Sequence, residues 1–162
     1  MNRRTASMLT GIALLGLAIA ALPQASFAQS DPATGLWQHN LGKSNYSPGL
    51  PPKSQTVYIQ AEGQNLKLTN VGISAEGNPT SAVTTWIFDG MPHPVTGNPN
   101  FDAVASTRVN AYTINNSRTK AGKVVGTQTV VLSQDGKTAT STVTGTNANG
   151  QQINIVGVYD KQ

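Results

Sequence analysis

The stretch from Lys123 to Gly145, KVVGTQTVVLSQDGKTATSTVTG, constrains the fold more than any other part of the chain. Two runs rich in Val and Thr flank the pair Asp135-Gly136. Asp-Gly between alternating β-forming residues is typical of a hairpin, because glycine accepts the positive φ that a tight turn requires. Val and Thr carry two heavy atoms on Cβ and suit a pleated strand better than a helix. The stretch therefore predicts two antiparallel strands joined by a turn.

The same alternation of short β-rich runs and small polar turns continues on both sides of this hairpin. It gives nine strand candidates: Gly35–Gln38, Gln55–Ala61, Asn65–Ile73, Thr80–Phe88, Ala103–Val109, Ala111–Asn116, the two hairpin runs and Gln151–Tyr159. A meander of this kind fits a closed barrel or a two-sheet sandwich. Because sandwiches usually need Greek-key connections, we predict an all-β, antiparallel up-and-down meander that closes into a barrel of about 8–10 strands.

Two proline-rich segments interrupt this pattern. Asn40–Ser54 predicts an ordered connection with at most one helical turn, packed against the barrel mouth through Leu41 and Tyr46. Met91–Asp102 is longer than a usual hairpin loop, and we predict that it is irregular and folds over one barrel end. In this hypothesis Met91, Val95 and Phe101 form an apolar underside, while His93 and Asn98 face water.

Residues 1–28 have the features of an export signal. Arg3 and Arg4 precede an apolar stretch, Met8–Leu22, and Ser26–Ala28 offers small residues at the positions that signal peptidase reads. The apolar stretch is shorter than the ~20 residues that span a bilayer, which disfavours a membrane anchor. We therefore predict cleavage after Ala28, a periplasmic or secreted location without stable membrane insertion, and a single β-barrel domain over residues 29–162. Gln29–Thr34 would be a loose lead-in.

Composition narrows the classes of partner. The formal net charge of +4 falls to +2 without Arg3 and Arg4, and the remaining basic residues are scattered. Nucleic-acid binding needs a basic stripe with stacking platforms, and this sequence has neither. The absence of cysteine excludes both disulfides and lipoprotein acylation.

Several short segments of the sequence resemble segments of known protein families. Gly35-Leu36-Trp37 resembles the GxW opening of lipocalin-like (calycin) barrels. Nearly all of residues 29–162 resembles a group of small exported bacterial proteins of uncharacterised function, through GLWQHNLGKSNYSPG, PPKSQTVYI, DG-x-x-HPVTGNP, KAGKVVGTQTVVLSQDGKT and VYDKQ. The resemblance to lipocalins implies that Trp37 plugs one barrel end beneath an arginine from near the last strand. Here that strand has no arginine; Lys161 follows it and Arg108 lies elsewhere.

No motif of catalysis or metal binding stands out. His93 lies four residues after Asp89, but it sits between two prolines in a predicted loop, and no serine has a nucleophile-elbow setting. His39 and His93 are too far apart in the sequence to give a metal-ligand spacing. We therefore predict a protein that is not an enzyme and needs no cofactor or metal.

The aromatic residues within the predicted strands are the better candidates for a site. Tyr58, Trp86, Phe88 and Tyr112, with Tyr159, either line an apolar cavity or fill the core. Two functions stay open on this basis. One is an exported barrel that binds a small, partly apolar ligand; the other is an envelope protein-interaction or inhibitory module that acts through its loops.

Overall fold

The computed structural model describes residues 30–146 and 150–162. In these ranges the regular structure consists of β-strands and one short 3-10 turn, Leu41–Lys43. The strands are β1 (Gly35–His39), β2 (Asn45–Ser47), β3 (Ser54–Glu62), β4 (Asn65–Ile73), β5 (Pro79–Trp86), β6 (Pro92–Thr96), β7 (Ala103–Asn110), β8 (Thr113–Lys120), β9 (Lys123–Leu132), β10 (Thr138–Thr146) and β11 (Gln152–Lys161).

Ten of these strands form one closed antiparallel barrel, and β2 is an extra strand beside β11. From β3 to β11 each strand pairs with the next one along the chain. The barrel closes because β1 pairs with β3 on one side and with β11 on the other. The prediction of a closed up-and-down meander is thus confirmed, and one sheet that returns on itself excludes the two-sheet sandwich.

The hairpin predicted around Asp135-Gly136 is formed by β9 and β10. Its register runs from Ala139 opposite Leu132 to Gly145 opposite Gly126. The connection is longer than a two-residue turn, since the amide of Ser133 donates to the carbonyl of Thr138 at 2.8 Å. Gly136 has a φ of 68°, in the left-handed region that favours glycine.

Two strands lie where the sequence predicted connections. β2 follows the 3-10 turn Leu41–Lys43, which agrees with the prediction of at most one helical turn within Asn40–Ser54, and β6 lies within Met91–Asp102. The prediction that Met91–Asp102 is irregular throughout is therefore wrong. Prolines are tolerated in β6 because its ladders are short: it pairs with β7 through residues 92–94 and with β5 only through residues 95–96.

The eighth strand is longer than predicted. The sequence pattern ended this strand at Asn116 and placed a turn over Ser117–Gly122, but β8 continues to Lys120. The reversal is confined to Ala121 and Gly122, which both have positive φ, 48° and 77°. Because the strand is longer, one further inward-facing residue, Arg118, belongs to the barrel wall.

One end of the barrel, which we call the closed end, is sealed by Trp37. Its side chain is 2% exposed, and its indole N–H donates to the carbonyl of Ala33 at 2.8 Å. The ammonium of Lys161 lies 5.1 Å from the centre of the indole ring, where the resemblance implies an arginine. Gly35 makes room for it: a Cβ there would lie 2.8 Å from Cε of Lys161.

The segment before β1 crosses the closed end. Asp31 accepts a hydrogen bond at 2.6 Å from the guanidinium of Arg108, which is on β7, far around the barrel. The carbonyl of Pro32 accepts another from Lys161, and Ala33 is fully buried. The predicted loose lead-in is therefore wrong for residues 30–34, because the partners that order this segment lie far away in the sequence.

Candidate functional site

The barrel encloses a cavity of about 360 Å³. Strand residues alternate between this interior and the outer face: Val130 and Leu132 are buried, whereas Val131 between them is 46% exposed. Toward the closed end the lining is mainly apolar, with Trp37, Ile59, Leu68, Trp86, Val130 and Leu132. The cavity extends to the opposite end, which we call the distal end and define by Pro52 and the β6–β7 connection, residues 97–102.

A chain of hydrogen-bonded polar side chains crosses three strands of the barrel, and two of its members, Gln128 and Ser141, line the cavity. Asn116 on β8 donates to Oε1 of Gln128 on β9 at 3.1 Å, and Nε2 of Gln128 donates to Ser141 on β10 at 2.7 Å. The amide of Gln128 thus uses both its acceptor and one donor inside the wall. The carbonyl oxygen of Asn116 is buried and has no partner in the protein.

A second set of polar side chains in the cavity wall comes from β3, β4 and β11. Tyr159 on β11 donates to Gln55 at 2.9 Å, and Gln55 donates to Asn70 on β4 at 3.0 Å. His39 stacks at 5.0 Å from the ring of Tyr159, and its Nε2 lies 3.3 Å from the hydroxyl of Tyr46. Burial raises the pKa of both tyrosines and lowers the pKa of His39, so all three rings are neutral near pH 7.

A single arginine, Arg118 on β8, faces the cavity. Its guanidinium carbon lies 4.7 Å from the ring centre of Phe101, and its Nε is buried without a hydrogen-bond partner. Burial lowers the pKa of Arg118 to about 10, so the group is still positively charged near pH 7. The structure therefore places one half-buried cation in a cavity whose other polar groups are neutral.

The connection of residues 97–102 covers the distal end next to Arg118. Phe101 is 9% exposed, and Asn98 and Asn100 line the cavity. Asp102 fixes the segment, because its carbonyl accepts from the amide of Val95 and its carboxylate accepts from the amide of Ala121. Part of the hypothesis for Met91–Asp102 was wrong: Met91 is 63% exposed, and Asn98 lines the cavity.

The four aromatic residues predicted as a ligand site do not come together. Trp86 lines the cavity, whereas Tyr58 points outward because Val57 and Ile59 on either side of it face inward. Phe88 and Tyr112 pack against the core from connections at the closed end, without lining the cavity; the guanidinium of Arg108 covers the ring of Phe88 at 4.4 Å.

The residues that sequence reasoning missed are the polar ones inside the barrel, above all Arg118, Asn116 and Gln128. Ile114, Asn116 and Arg118 share one strand face, so the signal was the alternation of β8 continued beyond Asn116. Because the predicted strand ended at Asn116, Arg118 was assigned to a turn. Charged residues are common in exposed turns, so this assignment did not indicate a site.

The pair Asp89 and His93 is present but lies outside the cavity. Nε2 of His93 is 2.9 Å from the carboxylate of Asp89. The backbone N–H of Met91, followed by His93, lowers the pKa of Asp89. Among residues 30–146 and 150–162 no cluster of His, Asp and Glu has the makings of a metal site. The same ranges contain no helix that is both long and apolar enough to cross a membrane.

The fold is similar to that of solved β-barrel proteins. No protein-family model and no curated protein matches the chain. It is similar to the zebrafish ileal bile acid-binding protein complexed with cholic acid, with a TM-score of 0.52 and 15% identity over 81% of this chain and 99% of that one. A redesigned β-barrel, mFAP1, bound to DFHBI, is similar over 80% of this chain and 95% of that one, with 12% identity and a TM-score of 0.44. The similarity to the bile acid-binding protein shows that the chain has a lipocalin-like barrel fold.

Proposed function

We propose that this protein is an exported, non-enzymatic barrel that binds a small, partly apolar molecule in its interior. The observation that carries the proposal is the cavity of about 360 Å³, which lies inside the barrel and combines apolar walls with a few polar groups. Such a combination is typical of small-molecule sites, where apolar area supplies affinity and placed polar groups supply orientation. The similar bile acid-binding barrel was solved with cholic acid, which supports binding of this general kind.

Export is the second part of the proposal and is supported by the sequence of residues 1–28. The Arg pair, the apolar stretch and the small residues before Gln29 are typical of a cleaved signal; residues 1–29 lie outside the part of the chain that the structure describes. Intact-mass measurement of the protein recovered from the native host tests it. We expect a chain that begins at Gln29, and a mass that includes residues 1–28 would contradict the proposal.

Binding inside the barrel is tested with a neutral environment-sensitive dye, N-phenylnaphthylamine. The matched variants are Ala82→Phe, whose ring fills the cavity from β5, and Val83→Phe, whose ring lies on the outer face of the same strand. Because barrel interiors are closely packed, we expect Ala82→Phe to abolish most dye binding and Val83→Phe to keep it. Equal binding by Ala82→Phe and the wild type, with circular dichroism showing intact strands, would place the dye outside the barrel.

A second candidate is the interaction module that acts through its loops. Leu50 and Val124 are 78% and 66% exposed, and both lie toward the distal end, on the connection before β3 and at the start of β9. An exposed apolar patch can mark a partner surface, and these two side chains lie at the same end of the barrel. If the wild type binds no dye and substitution of Leu50 and Val124 by Ser abolishes association with an envelope protein, this second function replaces the first.

A further inference from the structure

The strongest unexplained feature of the cavity is the lack of a counter-charge for Arg118. Other basic side chains pair with carboxylates: Arg108 with Asp31, Lys43 with Asp160 and Lys67 with Glu62. Arg118 takes part in none of the ion pairs formed within residues 30–146 and 150–162, although all seven Asp and Glu residues of the chain lie in these ranges. The contact of its guanidinium with the ring of Phe101 offsets part of the cost of withdrawing this charge from water.

A buried, unpaired charge lowers the stability of a fold. Replacement of such a group by an apolar residue is often neutral or stabilising, so packing alone gives no reason for an arginine at this position. An arginine there is accounted for if a negative group pairs with it in another state of the protein. Its planar guanidinium suits a carboxylate or another oxyanion, to which it can donate two parallel hydrogen bonds.

The neighbouring polar groups do not supply such a partner. Gln128 is engaged with Asn116 and Ser141, and the hydroxyl of Tyr159 donates to Gln55. These groups are neutral, and burial raises the pKa of Tyr159, which keeps its phenol protonated. The positive charge that faces the cavity is therefore available to a ligand.

The position of Arg118 also sets a direction. It lies opposite Val104 and Gly126 in the ladders, close to the distal end of β8. The apolar lining formed by Trp37, Ile59 and Trp86 lies toward the closed end. A bound molecule with an acidic group at Arg118 would therefore extend its apolar part toward Trp37.

We propose that the barrel binds an amphipathic anion, with the acidic group held by Arg118 near the distal end and the apolar body directed toward the closed end. Phe101 covers the guanidinium in the free protein and is the side chain that the acidic group must pass or displace. This inference rests on the proposed function, because it requires a ligand inside the barrel, but it adds the charge and the orientation of that ligand.

Two dyes that differ only in one charged group separate the effect of ligand charge on affinity from the effect of ligand shape. Anilinonaphthalene sulfonate is N-phenylnaphthylamine with one added sulfonate, so the two dyes share their apolar body. The variant Arg118→Met keeps much of the side-chain length and removes the charge, and Lys120→Met removes an exposed charge from the same strand as a control. Hydrogen bonds to a charged group are strong enough that Arg118→Met should weaken sulfonate-dye binding about ten- to a hundredfold.

The neutral dye should bind Arg118→Met within about threefold of the wild type, and Lys120→Met should bind both dyes like the wild type. The denaturation midpoint of Arg118→Met should be no lower than that of the wild type, because the variant removes an unpaired, half-buried charge. If Arg118→Met nevertheless fails to fold, Arg118→Lys provides the test: it keeps the charge without the planar fork, and we expect an intermediate affinity for the sulfonate dye.

The outcomes that contradict the inference differ from those that contradict the proposed function. Unchanged sulfonate-dye affinity in Arg118→Met would show that Arg118 does not hold the acidic group. If only Arg118→Lys folds, unchanged affinity in that variant would show that the planar guanidinium does not hold it. An equal loss of both dyes would show that it shapes the cavity without selecting charge. A wild type that binds the neutral dye but not the sulfonate would overturn this inference alone, and a wild type that binds neither would overturn the proposed function.

Discussion

Trp37 shows how a single residue closes the barrel. Its ring is buried, hydrogen-bonded to Ala33 and covered by the ammonium of Lys161. The GxW phrase was sufficient to predict that Trp37 plugs a barrel end. It did not predict that Lys161 supplies the cation over the ring, because residues 37 and 161 become neighbours only when β1 pairs with β11.

We expect Trp37→Ala to lower the free energy of unfolding by about 3–5 kcal/mol, because it removes a large buried ring and leaves a cavity. Leu36→Ala is the matched control: its side chain is 42% exposed, and it should cost less than about 1 kcal/mol. Chemical denaturation of the two variants measures the difference. A Trp37→Ala midpoint equal to that of Leu36→Ala would mean that the indole does not seal the closed end.

His39 gives the barrel a pH dependence with a defined sign. Burial lowers its pKa below the ordinary value of 6.5, so as the pH falls the unfolded chain takes up a proton before the folded chain does. The stability linked to this group is full above pH 6.5 and declines as the pH falls from there to the folded-state pKa, with a slope of at most about 1.4 kcal/mol per pH unit.

We expect His39→Gln to flatten the decline in stability between about pH 7.5 and pH 5.5, because glutamine does not titrate. His93→Gln is the control, since His93 lies outside the core next to Asp89. Urea denaturation at several pH values gives the slopes. A slope in His39→Gln as steep as in the wild type would assign the pH dependence to other groups; the lowered pKa of Asp89 acts in a more acidic range.

The strands show which parts of a fold local pattern can predict. The β9–β10 hairpin was predictable because Asp135-Gly136 and alternating Val and Thr act over a few residues. β6 was not, because its prolines weaken the strand signal and its pairing depends on β5 and β7 on either side. The end of β8 was misplaced for a related reason: Ser117–Lys120 is polar, and only its pairing with β7 and β9 makes it a strand.

The β9–β10 turn allows a direct test at this scale. Gly136 has a φ of 68°, so Gly136→Ala should cost about 1–2 kcal/mol through backbone strain. Gln134→Ala, at an exposed position of the same turn, should change stability by less than about 0.5 kcal/mol. Thermal unfolding compares the two. If both variants melt at the wild-type temperature, the turn does not hold the conformation described here.

At the scale of the molecule, the succession of hairpins was enough to predict a closed barrel. The cavity was not predictable, because its volume depends on every inward side chain at once and on how ten strands close. Trp86 was recognised from its place in an aromatic strand. Arg118 was not, because its importance comes from what surrounds it: Phe101 from a connection and the neutral amides of the adjacent wall.

Intermolecular NMR contacts report directly whether a ligand lies inside the barrel. With isotope-labelled protein and unlabelled N-phenylnaphthylamine, we expect contacts from the dye to methyl groups of Ile59, Leu68 and Val130, which line the cavity. Val71 and Val131, 45% and 46% exposed on the outer face, should show none. Contacts to Val71 or Val131 with none to the cavity methyl groups would show that the dye binds outside the barrel and that the interior is not the binding site.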